Sequence, residues 1–236
     1  MLDRLRRFAR PMSAEDPRSP EERARDERAK MVDVQIRARG VADERVLAAL
    51  LAVPRDAFVA ADLRGSAYAD DALPIEAGQT ISQPYIVGRM TELLRVGPGD
   101  PVLDVGTGSG YQAAVLAQIG CRVVSIERHE SLADAARERL ARLGYGDRVE
   151  IRVGDGSLGD PAGGPWRGIL VAAAAPHVPE ALRAQLDPDG GRLVVPVGTR
   201  DRQQLVVVTR TGDEWTETSD GAVVFVPLIG ESGFSA

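Results

Sequence analysis

The stretch VLDVGTGSGYQ, residues 102–112, predicts a buried strand, a glycine-rich loop and the first turn of a helix in direct succession. Gly106, Gly108 and Gly110 would let the backbone approach a ligand closely, because a Cβ atom there would collide with it. A dinucleotide loop is spaced G-x-G-x-x-G, whereas this one reads G-x-G-x-G and has Asp104 two residues before its first glycine. The spacing therefore favours a ligand other than a dinucleotide, with a purely structural turn as the alternative.

Strands and helices alternate on both sides of this loop, which predicts an α/β fold: a doubly wound, mostly parallel sheet of Rossmann-like type. Strands are predicted at 101–106, 122–128, 149–155, 167–174 and 192–198, and helices at 84–94, 111–120, 131–144 and 179–191. Residues 203–218 predict a strand, a turn at 211–213 and a second strand, so an antiparallel hairpin should close one edge. A last strand is predicted at 222–230.

The part of the chain before residue 84 predicts a tail and two helices. Residues 1–19 are predicted to form a flexible tail, because residues 11–20 are polar and rich in proline. Ser19 and Pro20 start a helix that Gly40 stops, with Met31, Val34 and Ile36 on its apolar side. A shorter helix at 42–54 should turn Val46, Leu47, Leu50 and Leu51 inward and end at Pro54.

These elements predict a single domain over residues 20–236. It divides into N-terminal helices and a substrate loop (20–84), a cofactor-binding core (85–200) and C-terminal strands (201–236).

Three acids lie at successive predicted strands, and ligands of such folds bind beyond the carboxyl ends of the strands. Asp104, at the lip of the glycine loop, would suit the amino group of an amino-acid ligand. Glu127, about twenty residues past the glycines, stands where an acid binds ribose hydroxyls. Asp155 could accept a hydrogen bond from an adenine amino group. The three together favour S-adenosylmethionine as the cofactor, whereas each acid alone is more often a surface charge or a helix cap.

Composition excludes several other classes. The net charge of −6 argues against nucleic acid as a partner. Cys121 is the only cysteine, and His129 and His177 lie far apart, so no metal site is expected. No apolar run approaches a membrane span, and the basic start MLDRLRRFARPM lacks the apolar segment of a secretory signal. We expect a cytoplasmic protein.

Longer motifs resemble the protein-L-isoaspartate O-methyltransferase family of class I methyltransferases, over about residues 20 to 230. They are MVDVQIRARGVADERVLAALLAVPRDAFV (31–59), LPIEAGQTISQPYIVGRMTELL (73–94), VLDVGTGSGYQAAVLAQIG (102–120), VVSIER (123–128), VGDGSLG (153–159), LVVPVG (193–198) and VVFVPL (223–228). The glycine loop and SIER are shared widely among class I methyltransferases, whereas GQTISQP, residues 78–84, is far more specific to this family.

The resemblance implies a repair enzyme that acts as a monomer on isoaspartyl-containing peptides and damaged proteins. Such an enzyme transfers a methyl group from S-adenosylmethionine to the free α-carboxylate of an L-isoaspartyl residue. The ester then collapses to a succinimide, whose hydrolysis returns some normal aspartate. Because the carboxylate is already ionised at neutral pH, the reaction needs alignment and desolvation rather than a general base.

The resemblance also implies roles for individual residues. Ser82 and Thr80 would be catalytic, as neutral donors that orient the substrate carboxylate, although Ser82 could instead cap the helix at 84–94 or do both. The residues implied to bind the cofactor are Ile75, Gly78, Gln79, Gln83, Asp104, Gly106, Gly108, Gly110, Glu127, Arg128, Asp155 and Gly156.

Two positions depart from the family's usual pattern. Glu76 stands where a glycine is usual, and a carboxylate there would repel an anionic substrate unless it points away. Arg167 and Gly168 replace an aromatic-Asp-Ala sequence, so substrate preference and cofactor affinity are open at both positions.

Three alternatives remain open from the sequence. They are a carboxyl methyltransferase dedicated to one modified biosynthetic peptide, a cofactor-binding protein without catalysis, and a nicotinamide-dependent oxidoreductase. The intact Ser82, Gly106, Gly108, Glu127 and Asp155 count against the second, and the loop spacing counts against the third.

Overall fold

The structure is a computed structural model that describes residues 18–235. The tail predicted at 1–19 lies almost wholly outside the described residues, so its flexibility is not tested. Within residues 18–235, none of the helices combines the length and the apolarity that a bilayer span requires.

The first helix, α1 (Pro20–Lys30), begins as predicted. Ser19 Oγ accepts a hydrogen bond from Glu22 N at 3.1 Å, and the Glu22 carboxylate accepts one from Ser19 N at 2.7 Å. Two such reciprocal bonds satisfy amides that the helix itself cannot. The chain continues through a π-helical turn (Met31–Ile36) and a 3₁₀ turn (Arg37–Arg39), and stops at Gly40 with φ 96°.

The predicted inner faces of the first two helices were wrong at one position each. Val34 is 59% exposed and Val32 is buried in its place, because the π-helical turn shifts the phase of the side chains. In α2 (Glu44–Ala52), Leu51 is 38% exposed and Ala49 is buried instead.

A seven-stranded sheet forms the centre of the molecule. The strands are β3 (Pro101–Val105), β4 (Arg122–Glu127), β5 (Val149–Val153), β6 (Gly168–Val171), β7 (Asp189–Gly198), β8 (Gln203–Thr211) and β9 (Glu214–Val223). Their order in the sheet is β5-β4-β3-β6-β7-β8-β9. Neighbours from β5 to β7 pair in parallel, and β7-β8 and β8-β9 pair antiparallel. The predicted doubly wound sheet with a closing hairpin is confirmed.

Helices cover the sheet: α3 (Pro84–Leu94), α4 (Tyr111–Ile119), α5 (Glu130–Arg142) and the short α6 (Glu180–Ala184). Alternate strand residues enter different cores. Val102 and Leu170 pack into one buried cluster, whereas Leu103 and Ile169 pack into the other. A small hairpin, β1 (Leu73–Pro74) with β2 (Thr80–Ile81), stands apart from the main sheet and carries the residues just before α3.

Two predicted elements differ from the structure. The helix predicted at 179–191 is only α6, because β7 already begins at Asp189. The last strand predicted at 222–230 is wrong: β9 ends at Val223, and the chain beyond it forms only isolated bridges, including Ala174 with Pro227. We call residues 224–235 the C-terminal segment.

Candidate functional site

A cavity lies at the carboxyl end of β3, where the chain reverses its direction of travel across the sheet. We call it the inner cavity. Its lining comes from the loop before α3, from the glycine loop, from the ends of β4 and β6, and from the C-terminal segment. The lining residues are Gly78, Gln79, Thr80, Ile81, Ser82, Val87, Val105, Gly106, Thr107, Gly108, Ser109, Tyr111, Gln112, Ile126, Glu127, Arg128, His129, Gly156, Ala172, Ala173, Val226, Pro227, Leu228 and Ile229.

The glycine amides of the glycine loop are hydrogen-bonded within the protein. Gly106 N donates to Ile126 O at 2.9 Å, Gly108 N to the Glu127 carboxylate at 2.9 Å, and Gly110 N to the carbonyl of Thr107 at 2.8 Å. A phosphate-binding loop must keep such amides free for the anion. This loop therefore suits a ligand without a phosphate at that position, and it disfavours a dinucleotide.

The glycines themselves are required by the backbone and by packing. Gly106 has φ 93° and Gly108 has φ 51°, and a Cβ at Gly108 would lie 3.4 Å from Ile75 Cδ1. Ile75 thus packs over the loop without lining the inner cavity. Gly110, at φ 88°, lies against Ala136 of α5, so its role is to seat the loop on that helix rather than to contact a ligand.

Glu127 sits at the edge of the inner cavity and is 5% exposed. One carboxylate oxygen accepts from Gly108 N and the other from His129 N at 3.0 Å. Because a carboxylate offers about four acceptor sites, two remain available for the hydroxyl groups of a ligand. The backbone bonds hold this carboxylate in place before any ligand arrives.

Asp104 does not lie at the lip of the loop, and that expectation was wrong. Its side chain is wholly buried, and Oδ2 accepts from Ser125 Oγ at 2.7 Å while Ser125 also bonds Thr107 Oγ1 at 2.6 Å. Within the described chain its Oδ1 has no hydrogen-bond partner. Burial raises the pKa of Asp104 to about 7, more than the Ser125 hydrogen bond lowers it.

The loop before α3 is a strained wall of the inner cavity. Ala77 has φ 56° and ψ 24°, a left-handed conformation that is costly for a residue with a Cβ. The following residues Gly78, Gln79 and Thr80 all line the inner cavity. Such strain is typical of backbone held in place for function.

Ser82 does not cap the following helix, so that alternative was wrong. Pro84 is the first residue of α3, which makes Gln83 the cap residue and leaves Ser82 one position too early. The amide of Tyr85 donates instead to Asp70 Oδ1 at 3.2 Å, and the Gln83 side chain donates to Asp70 O at 3.0 Å. Among residues 18–235, no group hydrogen-bonds the hydroxyl of Ser82 or of Thr80.

A second depression, the outer cleft, adjoins the inner cavity and has a volume of about 840 Å³. It is lined by Arg39, Ala72, Thr80, Ser82, Gln83, Tyr85, Ile86, Ala172, Val197, Gly198, Thr199, Asp201, Arg202, Gln203, Gln204, Ala222, Val223, Val224, Phe225 and Val226. Thr80, Ser82, Ala172 and Val226 line both spaces. The two free hydroxyls therefore stand where the inner cavity meets the outer cleft.

Asp155 does not line the inner cavity, although its neighbour Gly156 does. Its Oδ1 accepts from Ser157 N at 2.9 Å and from Ser157 Oγ at 2.7 Å, and its Oδ2 accepts from Glu231 N at 2.8 Å. Burial alone would raise the pKa of Asp155, but these hydrogen bonds together lower it. Its carboxylate thus holds the C-terminal segment.

The structure brings together most of the residues predicted for the site. Those at the inner cavity are Ser82, Thr80, Gly78, Gln79, Gly106, Gly108, Glu127, Arg128 and Gly156. Gln83 lines only the outer cleft, and Ile75, Asp104, Gly110 and Asp155 support the walls from behind. Glu76 is exposed and lines neither space.

The lining residues that the sequence analysis missed include three groups. Tyr111 and Gln112 follow the glycine loop directly, and that adjacency was the available signal. Val226 to Leu228 belong to the quoted motif VVFVPL and Ile229 follows it, and all four were assigned to the strand predicted at 222–230. The turn at 199–202 gave no signal, because only the tertiary structure places it at the outer cleft.

Comparison with known proteins places the chain among relatives. The family described as protein-L-isoaspartate(D-aspartate) O-methyltransferase (PCMT) matches residues 26–233. The chain is 52% identical over 209 residues to a protein-L-isoaspartate O-methyltransferase of Methanoregula boonei, covering 89% of this chain and 95% of that one. It is 54% identical over 203 residues to that of Methylorubrum extorquens, covering 86% and 88%.

Solved structures agree. One protein-L-isoaspartate O-methyltransferase superposes with a TM-score of 0.78 at 28% identity, covering 87% of this chain and 67% of that one. A putative one from Plasmodium falciparum, in complex with S-adenosyl-L-homocysteine, has a TM-score of 0.72 at 24% identity and shows the same fold over 86% of this chain and 98% of its own. The chain belongs to the protein-L-isoaspartate(D-aspartate) O-methyltransferase family.

Proposed function

We propose that this protein transfers a methyl group from S-adenosylmethionine to the free α-carboxylate of L-isoaspartyl residues in peptides and damaged proteins, which begins their repair through a succinimide. The observation that carries the proposal is the meeting of the inner cavity and the outer cleft at Thr80 and Ser82. Methyl transfer needs the methyl donor and the substrate in contact, and two adjoining spaces can hold them in that way. The relatives above carry this activity in their names.

The inner cavity fits S-adenosylmethionine. The amides of Gly106, Gly108 and Gly110 are not free to bind a phosphate, and S-adenosylmethionine contains no phosphate. Glu127 would hold the ribose hydroxyls through its remaining acceptor sites, and Gly78 and Gln79 would line the amino-acid end. Gly156 lines the inner cavity, and a side chain is excluded there because a Cβ would lie 2.6 Å from Val105 Cγ1. When bound, the cofactor supplies an electrophilic methyl group on a positively charged sulfur.

The residues at the junction of the inner cavity and the outer cleft need only orient the substrate carboxylate and remove water from it. A carboxylate substrate is ionised at neutral pH, so no side chain has to remove a proton. The hydroxyls of Thr80 and Ser82 can donate to that carboxylate without a competing charge. The apolar neighbours Ala172 and Val226 exclude water there, which strengthens the attraction between a carboxylate and a sulfonium.

The outer cleft is large enough for a peptide segment and is lined by apolar and polar groups alike. Glu76, the residue that departs from the family pattern, lines neither space, so its charge is not directed at a bound carboxylate. The reading as an enzyme dedicated to one biosynthetic peptide thus gains no support.

The finer properties are part of the same proposal. The protein would act as a monomer in the cytoplasm. It would not act on nucleic acid, and the net charge of −6 supports this last point. Light scattering on purified protein would test the oligomeric state.

The function is tested by radiolabelled methyl transfer to an isoaspartyl peptide and to its aspartyl twin. Labelling of the isoaspartyl peptide alone is expected. Equal labelling of both, or of neither, would overturn the assignment.

A further inference from the structure

Gln203, the first residue of β8, carries a buried side-chain amide that is 2% exposed, whereas its neighbour Gln204 is exposed. Burying an amide is unfavourable unless its polar atoms are hydrogen-bonded. Here Nε2 donates to Thr199 O at 2.7 Å and to Arg200 O at 3.0 Å, and Oε1 accepts from Phe225 N at 2.7 Å. Two carbonyl partners and one N–H partner fix which end of the amide is which.

These three bonds join two segments that line the outer cleft. One is the turn at 199–202, which closes on itself through Thr199 N to Arg202 O at 2.9 Å. The other is the start of the C-terminal segment at Phe225. Both segments lie beyond the regular pairing of the sheet, because the last pair of β8 with β9 is Gln203 with Val223.

The same connection reaches the inner cavity. Val226, next to Phe225, lines both spaces, and its carbonyl accepts from Ala174 N at 2.8 Å. The Gln203 side chain therefore ties the turn to the start of the segment that continues into the shared wall, and Arg200 Nη2 of the same turn donates to Ser235 O at 2.9 Å at the far end of that segment. The Gln203 amide bonds neither Thr80 nor Ser82, and all three of its hydrogen bonds go to backbone groups, so it acts through the backbone it holds.

We propose that Gln203 is a positioning residue that sets the width of the outer cleft and thereby the affinity for the peptide substrate. The inference rests on the proposed function, because the outer cleft is taken as the peptide site. Without the amide, the turn would lose its bond to the start of the C-terminal segment at Phe225, and a peptide would lose contacts on that side of the outer cleft. The inner cavity keeps its other walls, so cofactor affinity should change much less.

The test uses two variants and a matched control in the full chain. Gln203→Met removes all three hydrogen bonds at similar side-chain length. Gln203→Glu keeps an acceptor for Phe225 N but sets a carboxylate against two carbonyl oxygens. Gln118→Met is the control, because it removes the hydrogen bond from Tyr145 Oη at 2.9 Å, remote from both spaces. The readouts are KM and kcat for an isoaspartyl hexapeptide, Kd for S-adenosylhomocysteine by calorimetry, and Tm.

Both Gln203 variants are expected to raise the peptide KM at least about fivefold, with Kd for S-adenosylhomocysteine within about twofold of wild type. The Gln118 control should keep the wild-type KM. A lower Tm with an unchanged peptide KM would overturn the proposal. Loss of folding in both Gln203 variants would overturn it too, because Gln203 would then serve the fold rather than the outer cleft. If the wild type itself methylated no isoaspartyl peptide, the proposed function would fail instead.

Discussion

Replacing Ser82 by alanine should slow methyl transfer while leaving the fold and the cofactor site intact. The stability effect follows from the structure. Ser82 caps no helix and is half-buried, and no group in residues 18–235 bonds its hydroxyl, so the change in unfolding free energy should stay within about 0.5 kcal/mol. A true cap residue would instead contribute about 1 kcal/mol.

The kinetic effect should be far larger, because losing one orienting donor permits misaligned poses of the carboxylate. A displacement of about 1 Å can reduce the rate on the order of a hundredfold. Single-turnover methyl transfer, calorimetry with S-adenosylhomocysteine and urea denaturation should be measured on the same preparation. Ser66→Ala, an exposed serine away from both spaces, is the matched control. A folded Ser82→Ala protein that binds S-adenosylhomocysteine normally and transfers methyl at the wild-type rate would refute the role.

Three further predictions concern the walls of the inner cavity. Glu127→Ala should weaken S-adenosylhomocysteine binding by about 1.5–3 kcal/mol in calorimetry, since a charged acceptor is lost, and an unchanged Kd would place the ribose elsewhere. Ala77→Gly should raise the unfolding free energy by about 1 kcal/mol, because glycine adopts φ 56° without strain. The control Ala60→Gly, at φ −61°, should lower the unfolding free energy, and equal effects of the two substitutions in urea denaturation would argue against strain at Ala77. For Asp104, the folded pKa of about 7 exceeds the reference 3.8, so between about pH 4 and pH 7 the unfolded state ionises while the folded state stays protonated, and stability falls progressively across that window. Denaturation at several pH values should therefore show that the unfolding free energy of Asp104→Asn, relative to wild type, increases across that window and is constant above it. A difference that does not change across the window would contradict the burial argument.

The strands, the glycine loop and most of the site could be predicted because their signals are local. Gly106 and Gly108 stand between an apolar run and a helix, and Glu127 ends the next strand, so the parallel sheet brings them to one edge. The position of Pro84 also marked the start of α3, and it could have excluded Ser82 as the cap.

Other features depend on tertiary contacts that no local pattern encodes. Asp104 lies in the strand predicted to be buried, on the same face as Val102, but only the packed structure shows that its hydrogen-bond partner is Ser125 Oγ. The C-terminal segment opens with an apolar run that is typical of a strand, yet β8 begins at Gln203, which pairs with Val223, so β8 offers no residue to pair beyond Val223. Its backbone is held instead by Gln203 and Asp155, residues distant in sequence.

The most direct measurement of the central claim is a crystal structure with S-adenosylhomocysteine and an isoaspartyl peptide bound together. We expect the nucleoside in the inner cavity with its ribose on Glu127, the peptide in the outer cleft, and the isoaspartyl α-carboxylate within hydrogen-bond distance of Ser82 Oγ, about 2.5–3.0 Å. A peptide carboxylate bound away from Thr80 and Ser82, or a nucleoside outside the inner cavity, would contradict the account.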